Sequence, residues 1–161
     1  MTRPTTLSIV AAFALAAIVA GIAVLTAGAS SAQSFTLVVR YDKSSFKTDE
    51  VAPKGTSVGD QFFFTGALTR NGKPAGRLED MDVVVDRRIE GFARWATLLL
   101  PEGTIVAAGG GGNRGASGWH PTAEDRLAIL GGTRAYAGAT GEITVRDLPN
   151  GTQRLTVDLL G

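Results

Sequence analysis

From Gln33 onward the chain shows no helical period. Apolar and polar residues alternate in short runs, and each run ends in a turn signal. That spacing restricts the chain to an all-β domain. "SFTLVVRYDK" puts Phe35, Leu37, Val39 and Tyr41 on one face, and a polar connection with Pro53, Gly55 and Gly59 follows. "DQFFFTGALTR" and "GRLEDMDVVVDRR" are the second and third strands, joined across Asn71-Gly72, a strong hairpin signal. "GFARWATLLL" is the fourth and "TIVAAG" the fifth, joined by "PEGT", where Pro101 presets φ and Gly103 supplies a positive φ. "EDRLAIL", "GEITVRDL" and "TQRLTVDLL" complete a set of eight, the last two joined at Asn150-Gly151. Eight antiparallel strands close into a barrel or split into a two-sheet sandwich, and spacing alone does not separate the two.

The first 32 residues read differently. Arg3 is followed by "LSIVAAFALAAIVAGIAVLTAGA", which carries no charge, and then by "SSA". Ser30 and Ala32 supply the small residues of an export cleavage site before Gln33, so residues 1–32 are expected to be a signal peptide. The alternative is an uncleaved anchor helix, since residues 7–27 are long enough to span a bilayer. Both readings put the β-domain, residues 33–161, outside the cytoplasm, secreted or membrane-anchored. Without Arg3 the domain has 15 basic and 15 acidic residues, from 16 and 15 in the whole chain. That balance argues against nucleic acid as a partner. The chain has no cysteine, so the exported domain rests on its core. About 130 residues bury roughly two-thirds of their unfolded surface.

"VAAGGGGNRGASGWHP" contains a formal G-x-G-x-x-G at Gly110, Gly112 and Gly115. A dinucleotide fingerprint needs a helix directly after the loop, and Pro121 with the next strand leaves no room for one. The glycines are read instead as a long connection after the fifth strand, with Trp119 as a candidate lid over a barrel mouth. His120 is the only histidine. A dyad with Ser117 and a metal site with Glu124 and Asp125 both lack support in the spacing. No metal site is expected.

Three blocks carry a family resemblance: Gly59-Asp60 before an aromatic strand; the turn and strand from Gly103 to Gly109; and Gly131-Gly132-Thr133 followed by Tyr136, Ala139 and Gly141. Their order resembles that of the allene oxide cyclase and dirigent superfamily, over about Phe35 to Leu160. The resemblance implies an eight-stranded antiparallel β-barrel with an apolar cavity, a homotrimer, and cofactor-free cyclisation, isomerisation or stereoselective coupling. It also shows departures. The polar set of the plant cyclases aligns with Leu37, Val39, Phe46 and Gly66, so the cyclase reaction itself is not expected. Arg134 stands where the family has glycine.

The third strand holds the densest acid cluster. Period-two logic points Met81, Val83 and Val85 inward and leaves Asp80 and Asp82 on a solvated face. The resemblance reverses this, because Asp82 aligns with a cavity cysteine of the cyclases. Asp80 and Asp82 then become candidate catalytic acids or bases, since a dry pocket raises a carboxyl pKa. Phe62, Phe64, Trp95 and Leu99 have the parity that the resemblance points inward. With Trp119 and Tyr136 they are the candidate residues for binding a lipid, terpenoid or phenolic ligand. The alternatives are a non-catalytic carrier of apolar ligands and a structural envelope protein whose barrel is filled by its own side chains.

Overall fold

A computed structural model of the chain describes residues 32–51, 55, 57–86, 91–112 and 124–160. The expected signal or anchor segment, Ser117, Trp119 and His120 lie outside them. The described part is all-β: β1 (Gln33–Tyr41), β2 (Lys47–Asp49), β3 (Gln61–Arg70), β4 (Lys73–Asp86), β5 (Gly91–Leu100), β6 (Gly103–Gly112), β7 (Asp125–Gly132), β8 (Thr140–Asp147) and β9 (Gln153–Leu160). From β3 to β9 each strand pairs antiparallel with the next, and β9 pairs with β1. Val38–Tyr41 of β1 then pairs with Gly66–Thr69 of β3 and closes an eight-stranded barrel. Closure satisfies the strand edges that a sandwich would leave open.

The ninth strand, β2, continues β1 along the same edge of β3, with Lys47 opposite Phe63. Asp42 makes the bend between them. Its Oδ1 accepts from the Ser44 amide at 2.9 Å and the Ser44 hydroxyl at 2.7 Å, which starts a short 3-10 turn over Lys43–Ser45.

The hairpin turns form where their residues require them. Asn71 and Gly72 both have positive φ, 53° and 74°, as a type I′ turn demands. Register shifts at Leu68/Thr69, Val84/Asp86 and Val106/Ala107 mark bulges, which bend strands around a barrel. The glycines at 110–112 are not a loop as expected: with Gly109 they form the last part of β6 and pair with Gly91–Arg94 of β5. Gly109 sits so close to β7 that an added Cβ would lie 2.5 Å from the Arg126 carbonyl oxygen. A bare backbone there lets β6 and β7 approach.

Alternating side chains from every barrel strand fill the interior. Leu37, Val39, Leu68, Leu78, Leu98, Ile105, Leu127, Ile143, Val145, Leu155 and Val157 are almost fully buried in one core. Tyr136 and Phe35 close the end near the β7–β8 turn, with ring centroids 6.3 Å apart. The core stops short of the opposite end, where the interior turns polar.

Candidate functional site

The interior parity of β4 runs Leu78, Asp80, Asp82, Val84, all buried. Asp80 and Asp82 therefore point into the barrel, 5% and 1% exposed, against the period-two expectation of a solvated acidic face. The apolar residues of opposite parity lie on the outer face, Met81 between Phe63 and Trp95 and Val83 between Gln61 and Ala93. Both faces of this strand are apolar in part, so alternation alone misplaced it.

Across β5 the same interior row carries Arg94, Ala96 and Leu98. Arg94 pairs in register with Asp82, and Ala96 with Asp80. Arg94 is 4% exposed, and its guanidinium grips Asp80. Nε lies 3.0 Å from both Asp80 oxygens, and Nη2 donates to Asp80 Oδ2. Nη2 also donates to the Tyr41 hydroxyl at 2.8 Å. That hydroxyl lies within donating distance of Gln153 Oε1 at 2.8 Å and of Asp80 Oδ2 at 3.2 Å. Gln153 Nε2 in turn donates to Asp147 Oδ1 at 2.9 Å. A chain of hydrogen bonds thus runs from the buried floor on β5 to the end of β8.

Asp82 stands apart from this network. Its Oδ1 is 3.8 Å from Arg94 Nε, too long for a hydrogen bond, and accepts none from the described residues. Burial pushes its carboxyl from the ordinary 3.8 up to about 7; Arg94 opposes the rise, and Asp80 and Asp125 add to it. Burial also raises the Tyr41 hydroxyl against the pull of Arg94, so Tyr41 stays protonated. For Arg94 burial works the other way, but the carboxylates of Asp80 and Asp82 outweigh it and hold the guanidinium charged.

These groups form the floor of a cavity of about 830 Å³ that opens at this end of the barrel. Small-molecule sites span about 300–1,000 Å³. Its apolar wall is Phe46 and Phe64, with Leu148 and Pro149 at the rim. The ring centroids of Phe64 lie 5.8 Å from Tyr41 and 5.2 Å from Phe46. Phe46 reaches this position because the 3-10 turn redirects the chain. Its other side stacks on Phe62 at 6.0 Å.

Of the expected site residues, Asp80, Asp82 and Phe64 line this cavity, and Phe62 backs its aromatic wall. Trp95 and Leu99 do not. They are 42% and 37% exposed on the outside of β5, opposite Met81 and Arg77. The inward row of β5 is the one holding Arg94, because the buried carboxylates of β4 require a cation beside them. Tyr136 is not near the mouth either; it is buried at the far, closed end. Sequence reading missed Arg94, Tyr41, Phe46, Gln153 and Asp147. For Arg94 a signal existed: it shares parity with Ala96 and Leu98 on a strand that otherwise buries small or apolar residues.

No protein-family model and no curated protein matches the chain. Solved structures do. A pyocyanin demethylase is 25% identical, with TM-score 0.66, over 79% of this chain and 99% of that one. A pterocarpan synthase dirigent protein is 18% identical, with TM-score 0.56, over 80% of this chain and 83% of that one. A Diels–Alderase from Streptomyces koyangensis is 15% identical, with TM-score 0.60, over 83% of this chain and 71% of that one. The fold is that of these dirigent and Diels–Alderase barrels. The strands form a closed wall around an interior that keeps an open polar end.

Proposed function

We propose that this protein is an exported barrel that binds a small, largely apolar molecule in the cavity and guides its isomerisation, cyclisation or stereoselective coupling without a cofactor. One observation carries the reading: Asp82 is a buried carboxyl whose Oδ1 accepts no hydrogen bond from the described residues, and it lines the floor of a cavity large enough for a ligand. A carboxyl held at about 7 is divided between acid and base near neutral pH. It can give a proton to one atom of a bound molecule and receive one from another. Arg94, Asp80, Tyr41 and Gln153 form the fixed floor against which the molecule is held, and Phe46 and Phe64 shape its apolar side. Confinement in a reactive shape supplies the remainder of the acceleration. The named neighbours, a demethylase, a dirigent protein and a Diels–Alderase, support chemistry on small molecules in such barrels.

A non-catalytic carrier would be served by a wholly apolar cavity; the charged floor favours the enzyme. Export rests on the N-terminal pattern. The apolar outer face around Trp95, Val106 and Leu130 suits a homotrimer.

The test is to extract the purified full-length chain and identify bound small molecules by mass spectrometry. The compound found, or its analogues, should be converted by the wild type and not by Asp82→Asn. No bound compound, and no thermal shift with any aromatic or aliphatic amphiphile offered, would overturn the reading.

A further inference from the structure

Among the described residues the cavity is unbalanced in charge: they line it with four carboxylates, Asp42, Asp80, Asp82 and Asp147, and two cations, Lys43 and Arg94. Asp42 and Lys43 are exposed at the rim and offset one another. Deeper in, the described lining holds three carboxylates and one guanidinium. Asp80 takes that guanidinium on two of its nitrogens, and Asp147 accepts from the neutral Gln153 amide. Asp82 receives nothing from the described residues on Oδ1. Asp125, half-buried on β7, adds another carboxylate that acts on Asp82.

A ligand with a carboxylate or phosphate would meet this excess of negative charge, and Arg94 is already engaged by Asp80 and Tyr41. A positive ligand would give Asp82 a second counter-charge besides Arg94, whose Nε stands 3.8 Å from Oδ1. The wall beside the floor is aromatic, and ring faces attract cations by their quadrupoles. A buried carboxylate with an oxygen that accepts no hydrogen bond from the described residues and a cluster of aromatic rings in one cavity are complementary to the same kind of group. Neither favours an anion.

We propose that the cavity takes an organic cation: a molecule with an apolar body and one protonated or quaternary nitrogen, the nitrogen directed to Asp82 and the body laid against Phe46 and Phe64. The proposal rests on the cavity's being a ligand site, as given above, and adds the ligand's charge. It sets this barrel apart from one that receives a fatty-acid carboxylate. Binding supplies a counter-charge to Asp82 without disturbing the Arg94–Asp80 pair.

Three probes of one shape and different charge test it: phenylbutylamine, phenylbutanol and phenylbutyrate. Each is titrated calorimetrically into the full-length chain at about pH 8, where Asp82 is ionised. The amine should bind about tenfold tighter than the alcohol, with the carboxylate weaker still. Asp82→Asn should weaken the amine about tenfold and leave the alcohol within about threefold. If the alcohol or the carboxylate binds within about threefold of the amine, the ligand site stands and the cation proposal falls. If Asp82→Asn keeps the wild-type preference, the proposal also falls. If none of the three binds, both readings fall. The wild-type comparison decides the question even if Asp82→Asn does not fold.

Discussion

Asp82 illustrates how a single side chain links stability to pH. In the fold it holds its proton up to about pH 7, against 3.8 for an ordinary aspartate. Between those values the folded state binds more protons than the unfolded one, so stability falls as pH rises. Above about 7 the cost is complete, on the order of 2–4 kcal/mol. Asp82→Asn should therefore stabilise the protein more at pH 8 than at pH 5, as denaturant melts at the two values would measure. An equal gain at both would contradict a strained carboxyl. Arg94 is the opposite case. Arg94→Ala strands Asp80 in the interior and should cost about 3–5 kcal/mol, read by the same melts. A loss below about 1 kcal/mol would mean that Asp80 is not held by this pair. Arg134 tests the backbone: it sits at φ 53° in the turn where the resembling family has glycine. Arg134→Gly should relieve about 1 kcal/mol and raise the thermal midpoint by about 2–4 °C. The acids at 80 and 82 were visible in the sequence as residues. Their pairing was not, because Arg94 and Tyr41 lie 14 and 39 positions from Asp80 in the chain.

At the scale of elements, strand positions and hairpin turns were legible and strand faces were not. β3 and β4 join at Asn71-Gly72, and β8 and β9 at Asn150-Gly151, as their turn residues require. The orientation of β4 and β5 escaped period-two logic, since Met81, Val83 and Trp95 are apolar on the outside while Asp80, Asp82 and Arg94 are charged on the inside. Hydrophobic alternation assumes one wet face, and here neither face is simply wet or dry. The glycines of β6 misled for a related reason. Their composition signals a loop, yet pairing with β5 recruits them to a strand that must pass close to β7. Gly109→Ala would force its Cβ against the Arg126 carbonyl and the Leu127 side chain. We expect a loss of roughly 1–3 kcal/mol, with amide exchange accelerated along β6 and β7 before the other strands. Unchanged exchange there would show that the two strands can part at little cost.

At the scale of the molecule, closure of β1 onto both β9 and β3 creates one interior, with Phe35 and Tyr136 packed at one end and the larger cavity opening around Asp82 at the other. The outer face keeps Trp95, Leu99, Val106 and Leu130 exposed. On the trimer reading these residues form the subunit contact, so Trp95→Glu should convert a sedimenting trimer to monomer while the far-ultraviolet spectrum of the barrel is unchanged. A wild type that already sediments as a monomer would remove that reading. The sequence by itself determined the all-β class, the eight main strands and their hairpin turns, because side-chain alternation and turn chemistry are local properties of the chain. Only the tertiary structure decided which face of each strand is inside, that Arg94 meets Asp80, and that Asp82 Oδ1 is left without a hydrogen bond from the described residues at the floor of a cavity. Those depend on register between strands far apart in the chain and on ring closure, which fix burial and therefore charge.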